Sequence, residues 1–321
     1  MAALPSLRQL RYLATLAETL NFTRAAELCF VSQSTLSAGL KELESTLGLQ
    51  LFERDRQSVA LTPAGQAVLE RAKGLLASAE DLVALARTSG APMQGVIRLG
   101  VIPTIAPFVL PKIVPDLRQR YPNLKFALRE DLTENLLARL RNRQLDMALI
   151  ALPYETEGLI SKILFDDEFW LAARKNDPAL QGKRVTLPAK VAERLLLLEE
   201  GHCLREHTLQ ACKKTEIAST HGIEATSLLT LVQMVESGMG IALIPEMAVR
   251  SGLLNNTELV ARPLESPAPK RTIALIARTS TPHIREFELI SAAIAEQRQK
   301  DNRSVINATN RRKAARRSLD H

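Results

Sequence analysis

Val68, Ala72, Leu75, Ala79, Leu82 and Ala86 recur at spacings of four, three, four, three and four residues. That is the heptad seam of a coiled coil. It follows Thr62 and Pro63, an N-cap and first-turn pair, and precedes the breaker-rich stretch from Thr88 to Pro92. One long helix is therefore expected, ending in a hinge. Burial against the chain's own core would use a similar stripe, but the strict heptad spacing and the adjacent hinge favour a second copy as its partner. The 321 residues suffice for about two domains, each with its own core. With 46% hydrophobic and 24% charged residues, neither a disordered nor a fibrous chain fits. No apolar run approaches the roughly 18 residues that span a bilayer, and Arg8 and Gln9 interrupt the only place a signal peptide could sit. A cytoplasmic protein with no membrane partner is expected.

Ahead of the seam the pattern is helical. Leu7, Leu10, Leu13, Ala14, Ala17 and Leu20 follow Ser6, a good N-cap. A short second helix is expected over Arg24 to Cys29, capped by Thr23 and carrying Ala25 and Ala26 at a close helix contact. A third starts at Ser32, buries Leu36, Leu40, Leu43 and Leu47, and stops at Gly48. Short helix, tight turn and longer helix with a polar leading end make a helix-turn-helix, although a plain three-helix bundle has the same apolar pattern. In the former, Gln33, Ser34, Thr35 and Ser37 face base edges in the major groove, with Lys41 and Arg54 on phosphates. Leu51, Phe52, Val59 and Leu61 around a polar tip suit a small β-wing.

The stretch NFTRAAELCFVSQSTLSAGLKELESTLGLQLFERDRQSVALTPAG resembles the winged helix-turn-helix of the LysR-type transcriptional regulators. It departs from the usual pattern at Ser34, where Pro is common, and at Ala38, where many members carry Arg. Both changes bear on the target sequence.

From Gly95 the periodicity changes. VIRLGVI, KFALRE and DMALIAL alternate with helical stretches; EFWLAA, a helix over Ser227 to Ser237 and GIALIPEM form a second set. RTIALIAR then leads back toward the first. Alternating strands and helices indicate α/β units. The fold class expected is α/β: an N-terminal winged helix-turn-helix with a long linker helix, followed by a two-lobed effector domain similar to the periplasmic-binding-protein-like domain of the same family. Boundaries are expected at 1–65, 66–92, 93–297 and 298–321. Ligands of open α/β sheets sit beyond the strand carboxyl ends, where Thr104 falls.

Three cysteines are present. Cys29, among helix-turn-helix packing residues, reads as an inert apolar side chain. Cys203 and Cys212 are nine apart in GHCLREHTLQAC; on a continuous helix their α-carbons would be about 13 Å apart, whereas a disulfide needs about 4.4–6.8 Å. Joining them requires refolding of the segment. Cys203 lies beside His202 and Arg205 at a helix start, conditions expected to lower its pKa and make it reactive. Peroxide would take such a thiolate to sulfenic acid, and Cys212 would condense with it. Two other readings of these residues stay open: two unreactive buried thiols, or zinc held by His202, Cys203, His207 and Cys212, whose spacing matches no recognised finger.

GVIPTIAPFVLPKIVP, EGHCLREHTLQAC, ATSLLTLVQMVESGMGIALIP and PKRTIALIAR are together similar to the peroxide-sensing members of the LysR family, over residues 5 to 297. That resemblance implies that Cys203 is peroxidatic and Cys212 resolving, with Thr104, Thr133, His202 and Arg271 forming the peroxide pocket. Without it, Thr104 and Thr133 read as helix caps and Arg271 as the exposed start of a strand. The family's second histidine is replaced here by Gly222, with His221 one residue earlier. The resemblance further implies promoter DNA, hydrogen peroxide, RNA polymerase and a dithiol reductant of glutaredoxin or thioredoxin type as partners. It also implies a homodimer or homotetramer that needs no metal or cofactor and is not an enzyme. The alternatives are a regulator taking a small organic effector between the lobes, a zinc-dependent binder, and a thiol peroxidase or reductase; against the last stand the helix-turn-helix and the absence of Cys-x-x-Cys.

The net charge of +7 points to nucleic acid only superficially. Residues 298–321 hold eight basic and two acidic side chains, while residues 1–89 hold nine of each. The reading domain is neutral and must rely on placed contacts. The tail, poor in large apolar residues, is expected to be disordered.

Overall fold

A computed structural model describes residues 4–54, 59–87, 93–211 and 224–317, with backbone alone for 54, 81, 84–87, 211 and 304–317. The chain divides into two compact units, the first built on Met1–Ala91 and the second on Pro92–Ala138 and Leu145–His321.

The first unit has α1 (Leu7–Thr19), α2 (Phe22–Leu28), α3 (Gln33–Leu47), the two-stranded wing β1 (Phe52–Arg54) and β2 (Val59–Leu61), and α4 (Pro63–Arg87). Ser6 closes a capping box with Gln9, and Ser32 caps α3 by accepting from Thr35 N. The cap of α2 is Asn21, not Thr23: its carboxamide accepts from Arg24 N, so the helix starts earlier than composition suggests. Gly48 ends α3 with φ +64, a left-handed conformation that glycine adopts without strain. The core joins Leu10, Leu13 and Leu16 to Leu36, Leu40 and Leu43, to Leu51 and Phe52 of the wing, and to Leu69 and Ala72 of α4. Each such side chain contributes about 1.5–3 kcal/mol on burial. Glu44 anchors the wing, its carboxylate accepting from Leu51 N at 2.9 Å.

The start of α4 thus turns Ala72, expected in the dimer seam, into the unit's own core, because α4 must first cover α1. Farther along, Leu75 and Leu82 are 55% and 69% exposed, one heptad apart.

In the second unit come β3 (Gly95–Val101), α5 (Ala106–Arg120), β4 (Leu124–Glu130), α6 (Thr133–Arg141) and β5 (Met147–Leu152). After these, β6 (Leu159–Arg174) leads to α7 (Ala189–Ala192), β7 (Leu197–Leu198), α8 (Cys203–Ala211), β8 (Glu224–Ala225) and α9 (Leu228–Glu236). The unit closes with β9 (Ala242–Pro245), α10 (Glu246–Arg250), β10 (Leu259–Pro263), β11 (Lys270–Arg278) and α11 (Ile284–Arg317).

The sheet order is β10-β6-β11-β5-β3-β4, with β9 also on β6. At 16 residues, β6 serves two lobes: Leu159 to Glu168 pair antiparallel with β11, while Phe169 to Arg174 pair with β9 and β10. EFWLAA is therefore only the end of a strand that crosses between lobes. In the first lobe β3 lies parallel between β4 and β5, and β5 is buried along nearly its whole length, as covered parallel strands are. The second lobe has its own core, with Phe169, Leu171, Leu231, Val232, Val235 and Ile244.

The expected disorder from residue 298 is not observed: α11 continues through Arg317. Residues 298–317 contain no Gly or Pro and are rich in helix formers, and their start is tied down. Arg298 pairs with Glu246 at 2.6 Å and stacks over the Phe165 ring at 5.1 Å, and Lys112 pairs with Asp301 at 2.7 Å.

Candidate functional site

The second unit carries a buried thiol where its lobes meet. Cys203, 3% exposed, is the first residue of α8 and faces the carboxyl end of β3 (Ile102, Pro103, Thr104) and the start of α6 (Leu132, Thr133). The space these residues enclose has a free volume of about 0 Å3. A single water needs about 10–15 Å3, so any ligand at this thiol enters only when the space opens.

Arg271 organises this site. It is 1% exposed, not the exposed strand start that its position suggests, because β11 pairs it directly with Asp167 of β6 in the middle of the sheet. Its Nε and Nη2 donate to Asp167 Oδ2 at 3.1 and 3.0 Å, Nη1 to Thr104 Oγ1 at 2.7 Å, and Nη2 to the Thr104 carbonyl at 3.1 Å. An arginine has no acceptor, so Thr104 Oγ1 accepts from it and keeps its own hydrogen for the Cys203 sulfur. Thr104 is no helix cap: Ile105 holds that place in α5, with no side-chain bond. Asp167 Oδ1 in turn accepts from Met247 N at 2.9 Å, at the start of α10. Sequence reading missed Asp167, for nothing local marks an aspartate inside a strand as a buried counter-ion.

Thr133 is also not a cap. Its hydroxyl, 1% exposed, has no hydrogen-bond partner at normal geometry, although it lies near enough to Cys203 and Tyr154 to favour their anions. Tyr154 is a further neighbour that the sequence did not mark. Burial, then the charges of Glu206 and Cys203, push its phenol up to about 12, so it remains a hydrogen-bond donor.

Burial pushes the Cys203 thiol above its ordinary value, against the opposing pull of Arg271, Thr104 and Thr133. The lowering expected from His202 and Arg205 does not occur. Burial holds the His202 imidazole below its usual value, hence neutral, and Arg205 is engaged elsewhere, donating to Glu224 at 2.6 Å and to the Leu198 carbonyl at 2.9 Å. His207, on the next turn, is likewise kept neutral by burial, with Nε2 2.9 Å from the Leu152 carbonyl oxygen. Cys212, His221 and Gly222 lie outside the described residues. Among the described residues no group of three or more His, Cys, Asp or Glu is placed to hold a metal. Nor is any helix among them long and apolar enough to cross a membrane.

In the first unit, α3 presents Gln33, Ser34, Thr35 and Lys41 exposed, with Ser37 half-buried on the same helix. Thr23 Oγ1 donates to Gln33 Oε1 at 3.4 Å, and Ser32 Oγ is 2.9 Å from Ser34 Oγ and 2.7 Å from Thr35 Oγ1. The leading end of the helix is thus a set of hydroxyls and one carboxamide, ordered among themselves. Of Arg54, only the backbone at the end of β1 is described, and the wing tip lies outside the described residues.

A winged helix-turn-helix unit and a two-lobed α/β unit with a closed site between its lobes define a DNA-binding regulator with a sensing domain. The chain belongs to the LysR family of transcriptional regulators. Residues 7–66 match the bacterial regulatory helix-turn-helix of the lysR family, and residues 90–299 match the LysR substrate binding domain. The chain is 46% identical over 291 residues to the transcriptional regulator EstR of Acinetobacter baylyi, covering 90% of this chain and 96% of that one. To the dual regulator OxyR of Escherichia coli it is 38% identical over 294 residues, covering 90% and 94%. Among solved structures, a full-length OxyR variant from Pseudomonas aeruginosa is similar with a TM-score of 0.72 at 35% identity, covering 91% of this chain and 98% of that one. A hydrogen peroxide-bound OxyR mutant from Corynebacterium glutamicum is similar with a TM-score of 0.63 at 33% identity, covering 94% and 95%.

Proposed function

We propose that this regulator senses hydrogen peroxide through Cys203 and transmits the signal by a reversible Cys203–Cys212 disulfide to oxidative-stress promoters. The observation that carries the reading is a buried thiol backed by the Arg271–Thr104 pair. Peroxide, like any ligand, requires this space to open, and the Thr133 hydroxyl beside Cys203 then offers it a hydrogen bond.

The Cys203 thiolate attacks one peroxide oxygen; the S–O bond forms as the O–O bond breaks, and the leaving hydroxide takes a proton to become water. Cys203 is oxidised to sulfenic acid and peroxide is reduced. Arg271, through Thr104, stabilises the negative sulfur before attack, and neutral His202 serves as a hydrogen-bond partner, not as a cation. The Cys212 thiolate then attacks the sulfenic sulfur, the S–S bond forms and water leaves. A nine-residue helix begins at Cys203, so closing the bond requires α8 to unwind. A dithiol of glutaredoxin or thioredoxin type returns both thiols and is itself oxidised.

In this reading the protein turns over no metabolite and works in the cytoplasm as a homodimer or homotetramer. It places Gln33, Ser34, Thr35 and Ser37 on base edges and Lys41 and Arg54 on phosphates, and the refolded α8 alters the spacing of the reading helices on promoter DNA, where RNA polymerase is the partner. Peroxide-induced transcription from a target promoter tests it: the response is lost in Cys203→Ser, and induction by Cys203→Ser equal to wild type would refute it. The name of the Acinetobacter relative mentions no peroxide, and an organic effector between the lobes is the competing reading. Peroxide-independent thiols in the purified protein would favour it.

A further inference from the structure

Cys203 and His207 stand one turn apart on α8, at i and i+4, and so share a face of the helix. Cys203 meets the end of β3, and His207 reaches the end of the neighbouring strand β5. The His207 side chain is buried, and its Nε2 lies 2.9 Å from the Leu152 carbonyl oxygen. A carbonyl oxygen only accepts, so Nε2 carries the hydrogen and donates. The ring lies against Phe169, with centroids 6.2 Å apart. Other residues of α8 hold it to its own lobe: Leu204 joins the second core, and Arg205 bonds Glu224 and the Leu198 carbonyl. The His207 bond instead crosses to the first lobe.

We propose that His207 is a positioning residue of the redox switch, a latch whose bond to Leu152 holds α8 helical and sets how readily Cys203 and Cys212 join. This inference rests on the disulfide reading given above. His207 lies between the two cysteines in the chain. A helix continued to Cys212 would keep their α-carbons about 13 Å apart. Closing to the roughly 4.4–6.8 Å of a disulfide takes up the turns on which His207 stands. The donor then leaves Leu152. Its bond therefore belongs to the dithiol form alone and opposes disulfide formation by its full worth.

Equilibration of the full-length chain with reduced and oxidised glutathione tests the latch, read by alkylation and mass measurement of the linked Cys203–Cys212 peptide. Two electrons and two protons pass from the cysteine pair to glutathione disulfide, which becomes two glutathiones. His207→Leu and His207→Met keep apolar bulk against Phe169 but cannot donate. Each should raise the disulfide equilibrium constant about two- to tenfold, the scale of one neutral hydrogen bond. His207→Gln retains an N–H donor and should stay within about twofold of the parent. Far-UV spectra of all three should match that of the parent. In a Cys212→Ser background only the first oxidation can occur, and peroxide should consume the Cys203 thiol at the same rate with or without each His207 substitution, since His207 is not among the residues enclosing that thiol. An unchanged constant in both donor-less variants, an equal rise in His207→Gln, or a parallel change in the Cys203 rate would overturn the latch and leave the peroxide reading intact. No disulfide in the parent at any glutathione ratio would overturn both.

Discussion

At the scale of single residues, chemistry at the lobe junction is governed by what burial does to charge. Cys203 sits where desolvation favours the neutral thiol, and the charge of Arg271 opposes that shift. Arg271→Lys replaces a rigid fork by a point charge and loses the simultaneous bonds to Asp167 and Thr104. The expected outcome is a Cys203 alkylation profile moved to higher pH, with peroxide-dependent thiol loss at neutral pH slowed about tenfold for each unit moved. An unchanged profile would remove Arg271 from the mechanism. Two histidines give a second prediction. Burial holds His202 and His207 below their usual 6.5, so both are neutral in the folded chain, whereas the unfolded chain takes up protons near that pH. Unfolding then binds more protons than folding; their contribution is complete above about pH 6.5 and is lost as pH falls through the lower folded values. Melting temperature should decline between neutral pH and about pH 5, and His207→Gln should flatten the decline. The ion-paired carboxylates do not confound this window. Hydrogen bonds from Lys270 and Arg194 hold Asp166 and Asp177 below 3.8, so their loss comes at more acid pH. Residue-scale features were the least legible in the sequence. That Arg271 is buried depends on its pairing with a residue 104 positions away, and Asp167 gave no signal at all.

At the scale of elements, the helix-turn-helix could be read because its signals are local: Ser6, Ser32 and Gly48 act within one turn of where they stand. What the sequence left open was which partner an apolar stripe faces, since periodicity gives a face and not its neighbour. Ala72 belongs to the unit's own core while Leu75 and Leu82 stay exposed. The double substitution Leu75→Glu and Leu82→Glu should therefore leave the monomer fold intact and shift sedimentation toward the monomer; an unchanged oligomer would refute the seam. The wing is held by close backbone contact. A Cβ added at Gly65 would lie 2.1 Å from the Leu51 carbonyl oxygen. Gly65→Ala should destabilise the unit by about 1–3 kcal/mol in denaturant unfolding, the range for overpacking. Helix α11 shows the opposite failure of composition. A basic stretch poor in large apolar residues reads as disordered, yet it continues a helix whose preceding turns are anchored by Phe287, Ile290 and Ile294 and then by Arg298 and Asp301.

For the whole molecule, the proposed signal starts at a local bond at Cys203 in a unit whose two lobes share the strand β6. The α/β alternation made the lobes legible, but the crossover strand did not show, because Asp166 and Asp167 interrupt its apolar run and only the end beyond them, EFWLAA, reads as a strand. Charge separates from site choice at this scale. Residues 304–321 hold five basic side chains, Arg311, Arg312, Lys313, Arg316 and Arg317, against Asp320, and lie beyond the anchoring contacts of α11. Deleting them should flatten the salt dependence of DNA binding without changing the footprint or the peroxide response. Removing residues from 298 onward should in addition lower thermal stability, since it breaks the pairs with Glu246 and Lys112. Everything proposed for the signal rests on one covalent event among three cysteines. Alkylation of the denatured full-length protein, followed by mass measurement, counts free thiols before and after a stoichiometric dose of peroxide. The account predicts the loss of two thiols, a linked Cys203–Cys212 peptide and an unreacted Cys29; three alkylated cysteines after peroxide would contradict it.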